Sequence, residues 1–500
     1  MDVLIVLPLA IPLATAVITL LLRSFRGVQR TVSVLGAIAL MGASGAVLQR
    51  VWTDGIQAAQ MGGWPAPFGI TLVADPLSAG LLAVTGFVGV LVVIYAVAGM
   101  GEERQRFGFH PLFHLLLMGV NGAFITGDAF NLYVWFEVLL IASFVLLVLG
   151  NERRQLDGAV KYVGINLVSS VTFLAAVGLL YGYTGTLNLA DAAGRIDALR
   201  GTGLEATLAT LFVIAFGIKA ALFPLFFWLP AAYHTPPAPI GAVFAGLLTK
   251  VGIYSLIRVF SLLFDEPTGY TQTVLLILAA GTMLLGAMGA LVERNVQRLL
   301  AFLVVSAMGY VLMGLSFFTT LGLIGAVFYI FQDVIVKATL FLIGGMMERS
   351  TGTVQLDEMG GLYTYRPLLA LTFVVPAFSL AGFPPFPGFW GKLTLVQAGL
   401  EAEQFLLVGV ALVVGLMTLL IVAQVWSRAF WKSASEEELQ PVGSLFQRSA
   451  LQGTVVVLVL SLVVIGLYAQ PLYTLAEQAA ASLVNPEAYI EAVLGPSGRM

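Results

Sequence analysis

Long runs of apolar residues, separated by short polar or charged segments, recur along the whole 500-residue chain. A helix of about 20 apolar residues is long enough to cross a bilayer core of about 30 Å. The pattern predicts an all-α, polytopic membrane protein with about fourteen transmembrane helices. The predicted ranges, in chain order, are 3–22, 31–48, 76–97, 111–125, 130–149, 159–180, 204–228, 240–263, 274–291, 299–317, 321–344, a helix that starts at 367 and is interrupted at 383–388, 405–425 and 454–468.

Prolines interrupt the seventh and the twelfth of these predicted helices. Each proline removes a helix hydrogen bond and leaves carbonyl groups free, which at membrane depth requires cover from protein or water. Each proline cluster also lies close in sequence to a lysine, Lys219 in the first case and Lys392 in the second. One proline alone is usually a packing kink, but two clusters beside lysines favour an ion path between two related halves of the chain. The prolines that break the helices are Pro224, Pro230, Pro384, Pro385 and Pro387.

The composition supports a membrane protein and excludes several classes of function. Hydrophobic residues make up 59% of the chain and charged residues only 10%, whereas soluble domains carry about 25% charge. A net charge of -3 argues against a nucleic-acid partner, which usually requires a basic surface. The chain has no cysteine and three histidines, so disulfides, iron–sulfur clusters and the usual membrane haem are not expected. No loop holds a metal or nucleophile constellation, and the sequence predicts neither a cofactor nor a metal site.

The basic residues indicate how the chain is oriented in the membrane. With the N-terminus outside, fourteen of the 24 lysines and arginines fall on inner loops and four on outer loops. Because lysine and arginine accumulate on the cytoplasmic side, the prediction places both termini on the outer face. Asp2 precedes the first apolar run and Arg23 follows it, which predicts a retained helix rather than a signal peptide.

The other six basic residues lie within predicted helices. Lys161 and Arg258 are near helix ends, where a long side chain can reach the membrane surface. The remaining four lie deeper, where a lysine costs about 3 kcal/mol on insertion scales, which marks them as functional. They are Lys219, Lys250, Lys337 and Lys392.

Two acidic residues, Glu137 and Asp333, lie deep within predicted helices, away from the helix ends. They are too few to neutralise four deep lysines, so some lysines must be solvated or must lose and regain a proton. A pair of Glu137 with Lys219 would be the elementary part of a proton switch if the two lie close together. A purely structural ion pair of Glu137 with one of the lysines is the alternative.

Four parts of the sequence carry a family resemblance. The longest runs from Lys219 through WLP and a double proline to GLLTKVGIY and Arg258. The others are Glu137 in the fifth helix, the segment KATLFL that starts at Lys337, and GFPPFPGFWGK, which ends at Lys392. Together they resemble the antiporter-like subunits shared by respiratory complex I and the Mrp-type multisubunit cation/proton antiporters, over essentially the whole chain. Within that family the chain is more similar to the D-type subunit of the Mrp antiporters than to the complex I subunits.

The resemblance implies a fold of fourteen helices with two inverted five-helix repeats, in which helices seven and twelve are discontinuous. The implied divisions are three N-terminal helices in 1–109, a first repeat in 110–264, a second in 265–430, and a final helix with an outer tail in 431–500. It also implies that protons move along an axis formed by Glu137, Lys219, Lys250, Lys337 and Lys392. Accessory positions are Asp333, which stands where relatives often have histidine, together with Lys161, Arg258 and His234.

The implied partners are the other membrane subunits of such an antiporter, of the A, B, C, E, F and G types, with H⁺ and Na⁺ as the transported ions. The resemblance implies a multi-pass protein of the bacterial inner membrane. No cluster of carboxylates and hydroxyls at helix depth suggests a Na⁺ cage, which favours a proton path here and Na⁺ passage elsewhere. The acidic pair Asp265-Glu266 and the tail beyond Pro471 are candidate contacts with partner subunits, and the run 436–438 is predicted to be a solvated surface.

Two other classes of function stay open at this level. A proton-pumping subunit of a complex I or membrane-bound hydrogenase type of redox complex would have the same axis but a redox partner, and the chain would then belong to an NADH:quinone oxidoreductase-like assembly. A stand-alone transporter of an organic substrate would instead need a polar or aromatic pocket. The row of lysines favours the first two classes over the third, and a transporter subunit over an enzyme.

Overall fold

The computed structural model describes residues 3–264, 269–435, 439–440 and 444–495. The acidic segments 265–266 and 436–438, which the sequence analysis singled out, lie outside the described residues. Within that part of the chain, twelve helices are at least 18 residues long and apolar enough to cross a membrane. The prediction of an all-helical, polytopic membrane fold is therefore confirmed, while the count of fourteen stays a prediction.

The helices follow one another with short connections, and one β-hairpin lies between the second and third. The elements are α1 (Val3–Leu21), α2 (Arg26–Asp54), β1 (Gln57–Gln60), β2 (Thr71–Ala74), α3 (Pro76–Gly99), α4 (Glu102–Ile125), α5 (Ala129–Leu147), α6 (Arg153–Thr184), α7 (Leu189–Ile196), α8 (Gly203–Lys219), α9 (Trp228–Ala232), α10 (Ala238–Leu262), α11 (Gly269–Val292), α12 (Val296–Ser316), α13 (Thr320–Thr351), α14 (Leu362–Tyr365), α15 (Pro367–Ala381), α16 (Pro387–Glu401), α17 (Phe405–Trp431), α18 (Leu445–Leu467), α19 (Gln470–Val484) and α20 (Glu487–Leu494).

Two of the predicted helices are built from short pieces. The seventh consists of α8, which ends at Lys219, a non-helical segment at 220–227, and the short helix α9. The twelfth consists of α15 and α16, separated by residues 382–386. Because these pieces are shorter than a bilayer is thick, the twelve long helices do not include them. The predicted discontinuities are thus present at the two proline clusters.

The helix α13 lies at the centre of the fold. Its membrane-spanning part is completely buried, and it packs against α3, α10, α12, α15, α16, α18 and α19. The helix α10 is buried to the same degree. A transmembrane helix that is covered on all sides has no lipid-facing stripe, so it can carry polar residues on any face where another helix supplies a partner.

The β-hairpin, the turn before α5, the short helix α7 and the C-terminal helix α20 lie together at one end of the bundle. The strands β1 and β2 pair antiparallel, Leu72 forms a bridge with Thr126, and Asp128 forms a bridge with Asn188. The helix α20 packs against α7 and β1. We refer to this end of the bundle, defined by residues 57–74, 126–128, 189–196 and 487–494, as the hairpin face.

The sequence analysis did not predict the two helices that follow α18. The helix α19 lies across α13 and α3 and buries Ala476, Ala479 and Ala480 in that contact. At 15 residues it is shorter than a helix that crosses a bilayer, and its buried residues, Leu475, Ala476, Ala479, Ala480 and Leu483, recur at the helical spacing that places them on one face. The segment after residue 468, predicted as a tail, is therefore part of the packed fold.

Candidate functional site

Three charged side chains meet in the centre of the bundle, between α10 and α13. The Nζ atom of Lys250 lies 2.7 Å from Oδ2 of Asp333, and Nζ of Lys337 lies 3.6 Å from Oδ1 of the same carboxylate. At most 1% of any of the three side chains is exposed to solvent. One carboxylate therefore faces two lysines, and the cluster carries an excess positive charge unless one lysine is neutral. Because an uncompensated buried charge is costly, the cluster favours a state in which one of its two lysines has lost its proton.

The local backbone supplies the remaining partners of these two lysines. Within α10, residues Phe244–Leu248 form a wide helical turn with one extra residue, and Nζ of Lys250 donates a hydrogen bond of 2.9 Å to the carbonyl of Ala245 in that turn. Nζ of Lys337 donates a hydrogen bond of 2.9 Å to the carbonyl of Leu303 on α12. Wide turns of this kind are frequent at functional sites because they leave backbone groups available to side chains.

Lys219 and Glu137 lie on one side of this cluster, and no ion pair joins them in the described part of the chain. Lys219 is the last residue of α8, and its buried ammonium lies 5.4 Å from the centre of the Phe136 ring and 3.4 Å from Oγ of Ser170. The described residues include no ion pair of 4 Å or less between Glu137 and Lys219. The Oε1 atom of Glu137 is buried and has no hydrogen-bond partner. Glu137 and Lys219 are therefore in an open arrangement, without an ion pair between them.

The helix α10 passes directly against the end of α8. At Gly252, a Cβ atom would lie 2.5 Å from the backbone nitrogen of Ala220 and 2.8 Å from the carbonyl carbon of Lys219. Only a glycine permits this approach, which brings the backbone next to Lys250 against the residue that ends α8. The break after Lys219 and the central cluster thus belong to one continuous region of the protein.

Lys392 lies on the other side of the central cluster, at the break between α15 and α16. Its Nζ atom donates hydrogen bonds of 2.9 Å and 3.3 Å to the carbonyls of Leu380 and Ala381, which end α15. The ammonium also lies 4.5 Å from the centre of the Tyr310 ring. A helix end leaves its last carbonyls without partners, and here the lysine supplies them. The Tyr310 ring in turn stacks on the ring of Tyr329, which lies on α13 one turn before Asp333.

The charged residues thus form one row through the middle of the protein. This row consists of Glu137, Lys219, Lys250, Asp333, Lys337 and Lys392, and each broken helix has one of the lysines at its break. This arrangement of membrane-embedded lysines and carboxylates is suited to moving protons, because neutral and charged lysine differ by one proton and neighbours along the row change the balance between them.

The sequence profile of a family described as "NADH:quinone oxidoreductase/Mrp antiporter, TM" matches residues 126–418, which is more than half of the chain. The chain belongs to this family. It is 41% identical to the D-type subunit of the Na⁺/H⁺ antiporter of Alkalihalophilus pseudofirmus over 494 residues, covering 99% of this chain and 100% of the relative.

Solved structures of the NADH:quinone oxidoreductase/Mrp antiporter family have the same fold. A chain of the Mrp complex from Dietzia sp. superposes with a TM-score of 0.90 at 32% identity, covering 99% of this chain and 100% of that one. A chain of respiratory complex I from Thermus thermophilus superposes with a TM-score of 0.82 at 25% identity, covering 96% and 100%. The predicted membership of this family is therefore confirmed, and so is the predicted similarity to the D-type subunit.

The predicted accessory residues lie in surroundings that differ from one residue to the next. Lys161 lies outside the row on an exposed part of α6, where its Nζ atom is 2.7 Å from the carboxylate of Asp157. His234 is half-buried, and its Nδ1 atom is 2.8 Å from the carbonyl of Pro230. Asp333, predicted only as accessory, is the centre of the cluster.

Arg258 differs most from its predicted surroundings. Because Arg258 is near a helix end, a side chain that reaches the membrane surface was one of the two expectations. Instead, the side chain is 5% exposed and forms an ion pair with Asp75. The sequence analysis missed Asp75, because an aspartate before Pro76 and three residues before Ser78 looks like an ordinary helix cap. Its buried position and its partner on a distant helix are visible only in three dimensions.

The five predicted helix-breaking prolines all lie at or beside the two breaks. Pro224 is in the segment 220–227 and Pro230 is in α9, while Pro384 and Pro385 separate α15 from α16 and Pro387 begins α16. The polar groups that connect the second break to α13 were not predicted. Oγ of Ser379 donates to Oε1 of Gln332 at 3.2 Å and accepts a hydrogen bond of 3.0 Å from the backbone of Gly388.

Proposed function

We propose that this chain is the proton-translocating D-type subunit of a multisubunit Na⁺/H⁺ antiporter. The row of buried and half-buried lysines and carboxylates, with one lysine at each helix break, is the observation that carries the proposal. Its relatives support it, since the protein of Alkalihalophilus pseudofirmus is named as the D-type subunit of such an antiporter and the Dietzia structure is an Mrp complex. The exchange of Na⁺ for protons is then a property of the whole assembly, driven by about 2.3 kcal/mol per charge for each 100 mV of membrane potential.

In this proposal a proton moves along the row in three steps. Glu137 closes onto Lys219 and stabilises its charged form, and reopening of the pair raises the tendency of Lys219 to release its proton. The proton passes to the cluster of Lys250, Asp333 and Lys337, where the shared carboxylate lets either lysine be the charged one. Lys392 receives it beside the second helix break and passes it on. Between transfers, main-chain carbonyls hold the ammonium groups of Lys250, Lys337 and Lys392, and the Ser170 hydroxyl contacts that of Lys219.

The organisation of the protein follows from the same proposal. The chain lies in the bacterial inner membrane with both termini on the outer face, so the hairpin face is outer. Residues 110–264 and 265–430 are the two inverted repeats, with one helix break in each, and 1–109 and 431–500 flank them. The partners are the A, B, C, E, F and G types of subunit, and the chain acts as a transporter subunit rather than as an enzyme by itself.

The test is Na⁺-driven pH change in everted vesicles from cells that lack their own antiporters. The chain is expressed alone, with its neighbouring genes, and with its neighbours while carrying Glu137→Ala. We expect exchange only with the neighbours, and loss of exchange without loss of assembly in Glu137→Ala. The exposed Glu401 on α16 provides a matched control, since Glu401→Ala removes a carboxylate outside the row. Near-normal exchange in Glu137→Ala would remove the central role of this residue.

A redox-linked proton pump is the second candidate, favoured by the superposition on a chain of respiratory complex I. It would use the same row of residues with a different source of energy. Absence of any Na⁺ response with the neighbouring genes present, together with iron–sulfur subunits that copurify with the chain, would support this candidate and overturn the first.

A further inference from the structure

A second line of buried polar residues leads away from the central cluster along α10. Lys250, Tyr254 and Arg258 are spaced four residues apart and therefore lie on one face of the helix. All three are buried. At 1.5 Å per residue, Arg258 is about 12 Å further along the helix axis than Lys250, in the direction of the hairpin face. The line thus connects the proposed proton path with one end of the bundle.

Each residue on this line has a polar partner. The hydroxyl of Tyr254 donates a hydrogen bond of 2.6 Å to the carbonyl of Phe124 and accepts one of 3.4 Å from Nε of Arg258. The guanidinium of Arg258 forms an ion pair with Asp75, whose side chain is 1% exposed. The other carboxylate oxygen of Asp75 accepts a hydrogen bond of 2.8 Å from the backbone of Ser78 at the start of α3. The arginine is therefore held at a fixed position between α10 and α3.

The C-terminal helix α20 covers the end of this line. The centre of the Arg258 guanidinium lies 5.0 Å from the centre of the Tyr489 ring, which is within the range of a cation–π interaction. Tyr489 is buried, and its hydroxyl packs closely against Gly127 in the turn before α5. A Cβ atom added to this glycine would lie 3.2 Å from the hydroxyl. Gln60 on β1 holds the same helix through a hydrogen bond of 3.3 Å to the carbonyl of Val493. These contacts bring together four ionisable side chains of the described residues, those of Asp75, Tyr254, Arg258 and Tyr489.

The charge of Arg258 differs in kind from the charges of the lysines in the row. Arginine stays protonated under all physiological conditions, so it does not pass a proton on as lysine does. A fixed positive charge inside a low-dielectric region repels hydronium and raises the barrier to proton movement along the line. Asp75 compensates the charge of Arg258 and lowers the free-energy cost of burying it. The Tyr489 ring covers the guanidinium.

We propose that Asp75, Arg258 and Tyr489 form a gate at the hairpin face, which prevents protons from leaking between that side of the membrane and Lys250. The inference rests on the proposed function, because it assumes that Lys250 lies on a proton path. When the gate is closed, the ion pair and the ring over it occupy the end of the line. Protons cross at this end only when the ion pair and the cover by α20 are disturbed. The three residues act as positioning residues for the path rather than as carriers of the proton.

The experiment measures passive proton leak in proteoliposomes that contain the complete antiporter assembly. A potassium diffusion potential set with valinomycin drives protons inward in the absence of Na⁺, and a pH-sensitive dye inside the vesicles reports their uptake. Tyr489→Leu removes the ring from the guanidinium, and Tyr489→Phe restores it without the hydroxyl. Tyr468→Leu is the matched control, because Tyr468 is an exposed tyrosine at the end of α18, away from the gate.

We expect the leak to rise about tenfold in Tyr489→Leu, which corresponds to about 1.4 kcal/mol of lost cation–π interaction. Tyr489→Phe should restore a low leak, and Tyr468→Leu should leave it low. Asp75→Asn leaves the buried guanidinium without its counter-charge at nearly the same side-chain volume, so Arg258 should no longer be held at the end of the line and the leak should rise as well. An unchanged leak in both Tyr489→Leu and Asp75→Asn, with the assembly intact, would overturn the gate.

The same measurement separates the gate from the proposed function. The leak is recorded without Na⁺, so it does not depend on whether the assembly exchanges Na⁺ for protons. A leak that responds to Tyr489→Leu in an assembly without Na⁺-driven exchange would support the gate and overturn the antiporter assignment. Normal Na⁺-driven exchange in the parent assembly, together with a leak that does not change in Tyr489→Leu, would support the antiporter assignment and overturn the gate.

Discussion

Asp333 and Lys250 form an ion pair of 2.7 Å in which neither side chain is exposed to solvent. The two residues are on different helices, α13 and α10, and the same carboxylate also faces Lys337 at 3.6 Å. A buried ion pair with one additional cation is electrostatically incomplete, because two positive charges share one negative charge. The protonation state of the whole cluster therefore depends on the presence of this one carboxylate.

Replacement of Asp333 by asparagine should abolish proton exchange. The amide keeps the volume of the side chain but leaves two lysines without a counter-charge in a buried site, and removal of one partner of a buried pair costs about 3–5 kcal/mol. Both lysines are then expected to be neutral, so neither carries a proton across the cluster. Exchange in everted vesicles and the thermal stability of the purified assembly measure the two effects. Asp333→Glu should retain part of the exchange, and full exchange in Asp333→Asn would contradict the role of the shared carboxylate.

The two lysines of the cluster should differ in their effect on stability. Lys250→Met removes the closer partner of Asp333 and leaves the carboxylate with a lysine at 3.6 Å, whereas Lys337→Met leaves the 2.7 Å pair intact and removes the excess charge. Removal of Lys250 should therefore destabilise the protein by about 3 kcal/mol, and removal of Lys337 by clearly less. The midpoint of thermal unfolding of the purified assembly compares the two variants. Equal losses would mean that the carboxylate does not distinguish between the lysines.

Substitution at Gly252 should separate α10 from the end of α8. An added Cβ atom would lie 2.5 Å from the nitrogen of Ala220, which is closer than atoms tolerate, so one backbone must move. Overpacking of this kind costs about 1–3 kcal/mol, and here it also displaces Lys250 from Lys219. Gly252→Ala should therefore lower both stability and exchange. Gly178→Ala on α6 is the matched control, since no atom lies within 4 Å of the Cβ atom that it adds. Stability and transport of this variant should stay at the parent level.

Lys392 should be required for the structure of the second helix break as well as for exchange. Lys392→Gln shortens the side chain and withdraws the ammonium from the carbonyls of Leu380 and Ala381. Two buried acceptors without partners cost about 1–3 kcal/mol each, so the break should become more accessible. Hydrogen exchange of the amides in residues 382–392 measures this directly, alongside transport. Lys432→Gln, at the end of α17, provides a control lysine outside the row, and unchanged exchange of the amides in Lys392→Gln would argue against the capping role.

The sequence predicted the fold and most of the row for different physical reasons. Apolar runs and prolines are local signals, so the membrane helices and the breaks after Lys219 and before Pro387 could be placed without a structure. The four deep lysines were visible because charge inside an apolar run is rare. What the sequence left open was pairing. Asp333 and Lys337 are one turn apart on α13, but nothing local indicated that Asp333 lies closer to Lys250 on another helix.

Two features were hidden from the sequence for the same reason. Asp75 caps α3 like many surface aspartates, and only the packing of α10 against α3 turns it into the buried partner of Arg258. The helix α19 is short and mixes apolar with polar residues, so the sequence did not distinguish it from a tail. Its packing against α13 and α3 is visible only in the structure. Long-range contacts of this kind depend on the complete fold.

The wide turn at Phe244–Leu248 sets the direction of both buried charges on α10. A regular helix rotates by about 100° for each residue, so the extra residue in this turn rotates the whole later part of α10 relative to its beginning. Lys250 and Arg258 both follow the turn, and both find their aspartates, Asp333 and Asp75, on different neighbouring helices. A single inserted residue thus fixes the register of two separate ion pairs, and its deletion would point both cations away from their partners at once.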